Sequence, residues 1–212
     1  MANFLLVIDK IIEYTKKDID KGNTPLIIYK VCSFIRESFC ISYAIRKENN
    51  VYLLFDKERF LVLFKGNELK FLGSDERSQA LLLQKALNKL FQDPNLQVED
   101  WSKSTPGIYY RKFSEEELLI NYITSLDVLN LVFLIDQDTK EIENLYDIEE
   151  FNDLTNLSRN FYIISLNIPP IKYKRLIDLF GKIKTKKFIN LSKIKAIEDK
   201  VLFINYQIDQ KK

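Results

Sequence analysis

Near its end the chain reads Ile168-Pro169-Pro170, then Lys174-Arg175-Leu176-Ile177, then Phe180-Gly181-Lys182-Ile183, and this order decides the predicted architecture. The prolines indicate the entry to a hairpin, the middle run indicates an amphipathic helix, and Gly181 marks the turn that ends it. Asn190 then suits the N-cap of a second helix, with Ile194 on its apolar face. The pattern predicts an all-helical end of the chain that resembles a helix-hairpin-helix module.

Upstream of this module, apolar runs of strand length alternate with amphipathic helices. Such alternation predicts an α/β layer fold, in which helices cover a sheet. The predicted strands are 4–8, 40–47, 51–55, 60–65, 96–98, 129–135 and, as a strand or helix start, 161–164; the predicted helices are 25–38, 77–91, 115–125 and 139–151.

The composition excludes several classes of site. The 212 residues contain no histidine and two cysteines, Cys32 and Cys40, which we expect to be buried free thiols. A zinc site and the usual catalytic triads are therefore excluded. No apolar run reaches the roughly 18 residues of a membrane helix, and Asp9 comes too early for a signal peptide. We expect an intracellular protein without a membrane partner, nuclear if eukaryotic and otherwise in the cytoplasm or nucleoid.

The net charge of +2 conceals two oppositely charged segments. Residues 136–153 hold eight acidic side chains and one lysine, whereas residues 171–200 hold ten basic side chains and three acidic ones. The two segments are either solvated helix faces or a basic end that meets phosphate beside an acidic flank that does not.

The order of motifs resembles the XPF-type structure-specific endonucleases. Strand 131–135, the charged turn 138–143 and the apolar run 145–148 are similar to the end of that family's nuclease domain. Upstream, Leu87 to Phe91, Pro94 and Val98-Glu99 follow at matching intervals. The resemblance implies a restriction-endonuclease-like nuclease domain over 1–157 and a degenerate tandem helix-hairpin-helix domain over 158–212.

The resemblance also implies that catalysis is lost. Active members carry Gly-Asp, Glu-Arg-Lys and a further Asp, whose carboxylates hold a divalent metal. Alignment from Pro94 puts Leu53-Leu54, Phe64-Lys65-Gly66 and Lys70 at those positions. Apolar and basic groups cannot bind magnesium, so no catalytic residue, metal or cofactor is expected.

Non-catalytic members of that family pair with an active subunit. The resemblance therefore implies a DNA-repair or recombination subunit that forms a dimer with an XPF-type nuclease or translocase partner, or with itself, and docks on branched or damaged DNA. Phe180, Phe203 and Tyr206 are candidates for the dimer interface, unless they simply close the monomer core. The candidate phosphate contacts are Lys172, Lys174, Arg175, Lys182, Lys184, Lys186 and Lys187.

Two other functions stay open at this point. Asp56, Glu68 and Lys70 fit the spacing of a PD-(D/E)xK metal-dependent nuclease, with Asp9 as a possible third oxygen ligand, although Gly66-Asn67 predicts a turn that would misplace Glu68. The other alternative is a protein interaction module that uses the acidic segment 136–153 and binds no DNA. Trp101 could stack on an unpaired base or could be a packing plug.

Overall fold

The computed structural model describes residues 2–92, 100–135, 145–146, 151, 157–180 and 185–211. In this part of the chain the strands are β1 (Asn3–Ile8), β2 (Cys40–Ile41), β3 (Ala44–Ile45), β4 (Asn50–Phe55), β5 (Phe60–Lys65), β6 (Ser102–Thr105), β7 (Ile108–Lys112), β8 (Leu131–Ile135), β9 (Leu145–Tyr146), β10 (Phe161–Leu166) and β11 (Lys186–Asn190). The helices are α1 (Lys16–Asp20), α2 (Leu26–Phe39), α3 (Glu76–Gln92), α4 (Glu116–Ser125), α5 (Pro170–Phe180) and α6 (Ile197–Gln210).

Nine of the described strands form one sheet, in the order β6-β7-β5-β4-β1-β10-β8-β11-β9. The strands from β4 to β9 in this order are parallel, whereas β5, β7 and β6 extend the sheet antiparallel. The carboxyl ends of the parallel strands therefore lie together at one end of the sheet. We call it the carboxyl end, and the opposite one the amino end.

Apolar cores lie on both faces of the sheet. Along β1, Phe4, Leu6 and Ile8 belong to one core and Leu5 and Val7 to the other, because successive side chains of a strand point to opposite faces. Helices α1, α2, α3 and α6 pack in the first core, and α4 and α5 pack in the second. This burial on two sides explains why β1 reads as an uninterrupted apolar run.

Buried and half-buried asparagines join the elements near the amino end of the sheet. Asn50 Nδ2 donates to Asn3 Oδ1 (3.1 Å) at the start of β4 and β1. Asn49 Nδ2 donates to the carbonyl of Ser38 (2.8 Å) and to Asn205 Oδ1 of α6 (3.1 Å). These bonds fix α6 against the end of α2.

The expected restriction-endonuclease-like fold with an all-helical terminal domain is wrong. Residues 158–212 hold two strands of the main sheet, because β10 lies between β1 and β8 and β11 pairs with β8. Asn190, the predicted N-cap of a second helix, is instead the last residue of the strand β11. The second helix begins only at Ile197.

Other local predictions met different outcomes. The predicted strand 40–47 is the short hairpin of β2 and β3, and residues 145–146 of the predicted helix 139–151 form a strand. The strand predicted at 96–98 lies outside the described residues. The expected helices at 25–38, 77–91 and 115–125 are confirmed as α2, α3 and α4 within one or two residues at each end.

None of the helices in the described ranges is both long enough and apolar enough to cross a membrane.

Candidate functional site at the carboxyl end of the sheet

The chain leaves β1 and β10 towards opposite faces of the sheet. The connection after β1 leads to α2 in the first core, and the connection after β10 leads to α5 in the second. The two strands are parallel neighbours, with Ile8 beside Leu166 at their carboxyl ends. In open α/β sheets, ligands bind in the crevice that such a change of direction creates. The candidate site is therefore the crevice beside Asp9 and Asn167.

Two ion pairs attach α5 to the other elements of this crevice. Lys172 Nζ donates to Asp9 Oδ1 (2.6 Å), which joins the first turn of α5 to the end of β1. Arg175 pairs with Glu116 in the first turn of α4. The bond to Asp9 raises the pKa of Lys172, so this lysine stays protonated at neutral pH. The crevice thus holds both acidic and basic side chains.

Asp56 follows β4 directly and lies close enough to both pairs for their charges to affect it. Its amide donates to the Ile8 carbonyl (2.9 Å), which fixes it beside the end of β1. Burial raises the pKa of the Asp56 carboxyl; Glu116 and Asp9 also raise it, whereas Lys172 and Arg175 lower it. No hydrogen bond to this carboxylate comes from the described residues. Carboxyl groups with a raised pKa in a cleft are candidates for proton transfer.

The start of α5 is shaped by its sequence. Asn167 adopts a left-handed conformation (φ 55°), which asparagine tolerates better than most residues. Pro170 opens the helix, where its missing N–H costs nothing. The amides of Lys172 and Tyr173 both donate to the Pro169 carbonyl (2.9 and 3.1 Å). Since Tyr173 Oη also donates towards the carbonyls of Leu134 and Ile163, this turn is held against β8 and β10.

The predicted phosphate-binding residues divide into two groups. Lys172, Lys174 and Arg175 lie on the first turns of α5, at the carboxyl end of the sheet. Lys186 and Lys187 open β11, at the amino end, about five residues or roughly 17 Å of strand away. Lys182 and Lys184 lie outside the described residues. Of the five described candidates, only the three on α5 lie at the crevice.

The predicted dimer residues have different environments. Phe180 is fully buried in the second core, and Phe203 is half-buried with its ring 5.2 Å from that of Phe151. Only Tyr206 is exposed, over 57% of its surface. The structure thus places two of the three against the monomer's own core.

The alternative nuclease residues are not brought together. Because β4 and β5 are antiparallel, Asp56 lies at the carboxyl end of the sheet, whereas Glu68 lies at the amino end, roughly 17 Å or more away. Glu68 pairs with Lys65 (2.6 Å) and accepts a bond from Tyr109, and both hydrogen bonds lower its pKa. Lys70 is exposed beyond that turn. No group of three metal-binding side chains occurs among the described residues.

Two side chains of this site have a signal in the sequence. Asp9 and Asp56 each follow an apolar run directly, which is the sequence signal for a side chain at the carboxyl end of a buried strand. The sequence suggested them only as metal ligands. Trp101 is half-buried, with its ring 5.5 Å from that of Tyr122 in the second core, as a packing residue would be.

Comparisons with known proteins identify the family. Residues 23–151 match the family described as "Putative SAM-dependent RNA methyltransferase". A tRNA (pseudouridine(54)-N(1))-methyltransferase of Methanocaldococcus jannaschii is 29% identical over 155 residues, which cover 70% of this chain and 73% of the relative. The enzymes of the same name from Methanococcus vannielii (28% over 160 residues, 73% and 75%) and Haloferax volcanii (32% over 119 residues, 56% and 57%) are also similar.

These matches overturn the resemblance to XPF-type endonucleases. That resemblance rested on short apolar motifs in a plausible order, and apolar strands and helices recur in every α/β fold. The predicted DNA-repair function, the XPF-type partner subunit and DNA as the binding partner are therefore wrong. The chain belongs to the family of SAM-dependent RNA methyltransferases.

Proposed function

We propose that this chain transfers the methyl group of S-adenosylmethionine to N1 of pseudouridine 54 in tRNA. The observation that carries the proposal is the similarity to relatives that bear this activity in their names, over 70% or more of this chain in two cases. The crevice at the carboxyl end of the sheet supports it, because such crevices are the usual ligand sites of parallel sheets.

The side chains of the crevice fit the methionyl part of S-adenosylmethionine. That part carries an ammonium and a carboxylate, which need one acidic and one basic partner. Asp9 and Lys172 provide both within one ion pair. Each keeps capacity for further bonds, since a carboxylate accepts about four and an ammonium donates three. Asp9 and Lys172 are therefore the residues expected to hold this part of the cofactor.

The cofactor supplies an electrophilic methyl group on a sulfonium, and the chain's own residues position the acceptor base. Strands in a sheet lie about 4.8 Å apart, so the ends of β4 and β10, with β1 between them, are roughly 10 Å apart. That distance accommodates a pyrimidine ring between Asp56 and a group held over β10. The acceptor base would thus lie over the end of β1.

Basic side chains beside the crevice suit the RNA backbone. Lys174 and Arg175 are exposed on α5, next to the crevice. We expect them to contact phosphates, which orient the RNA but do not read its sequence. An RNA substrate of this kind is intracellular. It therefore agrees with the intracellular location that the sequence predicts, and that location stays a prediction.

One observation favours a second candidate, an RNA-binding member that does not transfer methyl groups. A nucleotide-like ligand is commonly held by backbone amides at strand ends. In the loop after β10, Pro169 and Pro170 have no N–H, and the amides of Leu191 and Ser192 after β11 donate to Ile135 O and Asn190 Oδ1. These four positions therefore offer no free amide to the adenine.

The test is a methyl-transfer assay on defined tRNA. Purified protein is incubated with labelled S-adenosylmethionine and with a tRNA that carries pseudouridine at position 54, and the product is mapped by nuclease digestion and mass spectrometry. The matched substrate is the same tRNA with uridine 54. We expect N1-methylpseudouridine at position 54 in the first tRNA and no methylation of the second.

The same preparation separates the two candidates. A dialysis measurement with S-adenosylhomocysteine and a filter-binding measurement with tRNA accompany the assay. Binding of both ligands with transfer supports the methyltransferase. Binding of tRNA without S-adenosylhomocysteine and without transfer favours the second candidate. Methylation at a different nucleotide would retain the reaction class but reject pseudouridine 54 as the target.

A further inference from the structure

Asp56 is a carboxylate of the crevice that belongs to neither ion pair and has no role in the proposed cofactor site. Asp9 is bonded to Lys172, and Glu116 is bonded to Arg175, whereas the Asp56 carboxylate accepts no hydrogen bond from any described residue. It is half-buried at the end of β4, next to the end of β1. A polar group in this situation is available to a ligand in the crevice.

The proposed acceptor has a group that matches this carboxylate. Pseudouridine is attached to its ribose through carbon, so its N1 carries a hydrogen; at the corresponding ring position uridine has only a C–H. Transfer of a methyl group to N1 releases that hydrogen as a proton. The site therefore needs an acceptor that recognises N1–H before the reaction and takes the proton during it.

We propose that the Asp56 carboxylate accepts a hydrogen bond from N1–H of the target pseudouridine, selects pseudouridine over uridine, and removes the N1 proton during methylation. This inference rests on the proposed function for its substrate. In the reaction the N1–H bond breaks and its proton goes to Asp56. The freed electron pair of N1 forms the new bond to the methyl carbon, and the sulfonium sulfur keeps the pair of the broken carbon–sulfur bond.

The surroundings of Asp56 suit this role. Lys172 and Arg175 face it from α5, Glu116 from α4 and Asp9 from the end of β1, so two positive and two negative groups surround it. Their opposing effects leave burial as the main cause of its raised pKa. A carboxylate with a raised pKa takes a proton more readily than an exposed aspartate does.

The first test measures recognition without the reaction. Filter binding without cofactor compares tRNA carrying pseudouridine 54 with tRNA carrying uridine 54, for the wild type and for Asp56→Ala. We expect the wild type to prefer pseudouridine by roughly tenfold, as for a hydrogen bond to a charged group, and the variant to bind both equally. Circular dichroism checks that the variant is folded.

The second test measures proton removal. Asp56→Asn should lower kcat by about a hundredfold or more while leaving the affinity for tRNA within twofold, because an amide does not take the proton. The wild-type kcat should fall as the pH drops through the pKa of Asp56. The matched control is Asp127→Asn, whose side chain is 98% exposed before β8, at the amino end of the sheet.

Each outcome has a distinct meaning. Equal wild-type affinity for the two tRNAs, or an unchanged kcat in Asp56→Asn, overturns the role of Asp56 while the proposed function stands. A wild type that prefers pseudouridine through Asp56 but transfers no methyl group overturns the proposed function and leaves the recognition role intact. If Asp127→Asn also loses activity, the effect comes from removing any negative charge and not from Asp56, and the proposal is rejected.

Discussion

Replacement of Phe180 by alanine separates a core residue from an interface residue. Phe180 is fully buried at the end of α5, within the second core that also contains Leu176 and Phe133. Removal of a buried phenylalanine side chain loses its transfer free energy and leaves a cavity, which together cost about 3–5 kcal/mol. For a domain of this size each kcal/mol lowers Tm by about 2–4 °C, so we expect Phe180→Ala to lower Tm by roughly 6–20 °C.

The assays are thermal denaturation, which gives Tm, and urea denaturation at two protein concentrations, with Tyr206→Ala as the matched control. Tyr206 is an aromatic residue on α6, the next helix along the chain, but it is 57% exposed, so its loss should change the free energy of unfolding by less than about 0.5 kcal/mol. The midpoint of Phe180→Ala should not depend on protein concentration. A loss below 1 kcal/mol, or a midpoint that shifts with concentration only in the wild type, would refute the assignment of Phe180 to the monomer core.

Three further outcomes are expected. Asp56→Asn should increase the free energy of unfolding at pH 7, because a carboxyl whose pKa is raised in the folded state disfavours folding when it is ionised. This gain in stability should shrink as the pH falls through the raised pKa towards 3.8. A gain that persists in acid would contradict the burial argument. Asn205→Leu removes the acceptor of Asn49 Nδ2 and the donor to the Glu37 carbonyl. The free energy of unfolding in urea should fall by about 2–4 kcal/mol. A fall below about 1 kcal/mol would mean that water replaces both hydrogen bonds. Arg175→Ala should weaken tRNA binding and reduce the slope of log affinity against log salt by about 1, and Lys186→Ala should change neither; the opposite result would locate RNA at the amino end of the sheet.

Much of the secondary structure could be predicted from local sequence. The strands β1, β4 and β5 are continuous apolar runs bounded by polar turns, and α2 and α3 repeat apolar residues at the helical period. Such patterns show which side of an element is buried, and they can be recognised without knowing which element packs against that side. They predict an α/β fold, but not the family within that class.

The sequence pattern of residues 186–190 does not indicate a strand, for a physical reason. Residues 186–190 are two lysines followed by Phe188, Ile189 and Asn190, too short and too polar at the start to show a strand period. They form β11 because β8 offers an unpaired side for parallel hydrogen bonds, and that neighbour lies about fifty residues earlier in the chain. Local strand propensity contains no information about a pairing partner so distant in the sequence.

The sequence by itself determined that strands and helices alternate, that residues 4–8 form an apolar strand, and that no histidine is available for a metal or a triad. These properties depend on residue type and near-neighbour spacing. Only the tertiary structure decided that Asp9 meets Lys172, 163 residues away, and that Asp56 lies beside both while Glu68 lies at the opposite end of the sheet. Strand order and strand direction fix which side chains share the carboxyl end of the sheet, and long-range pairing sets both.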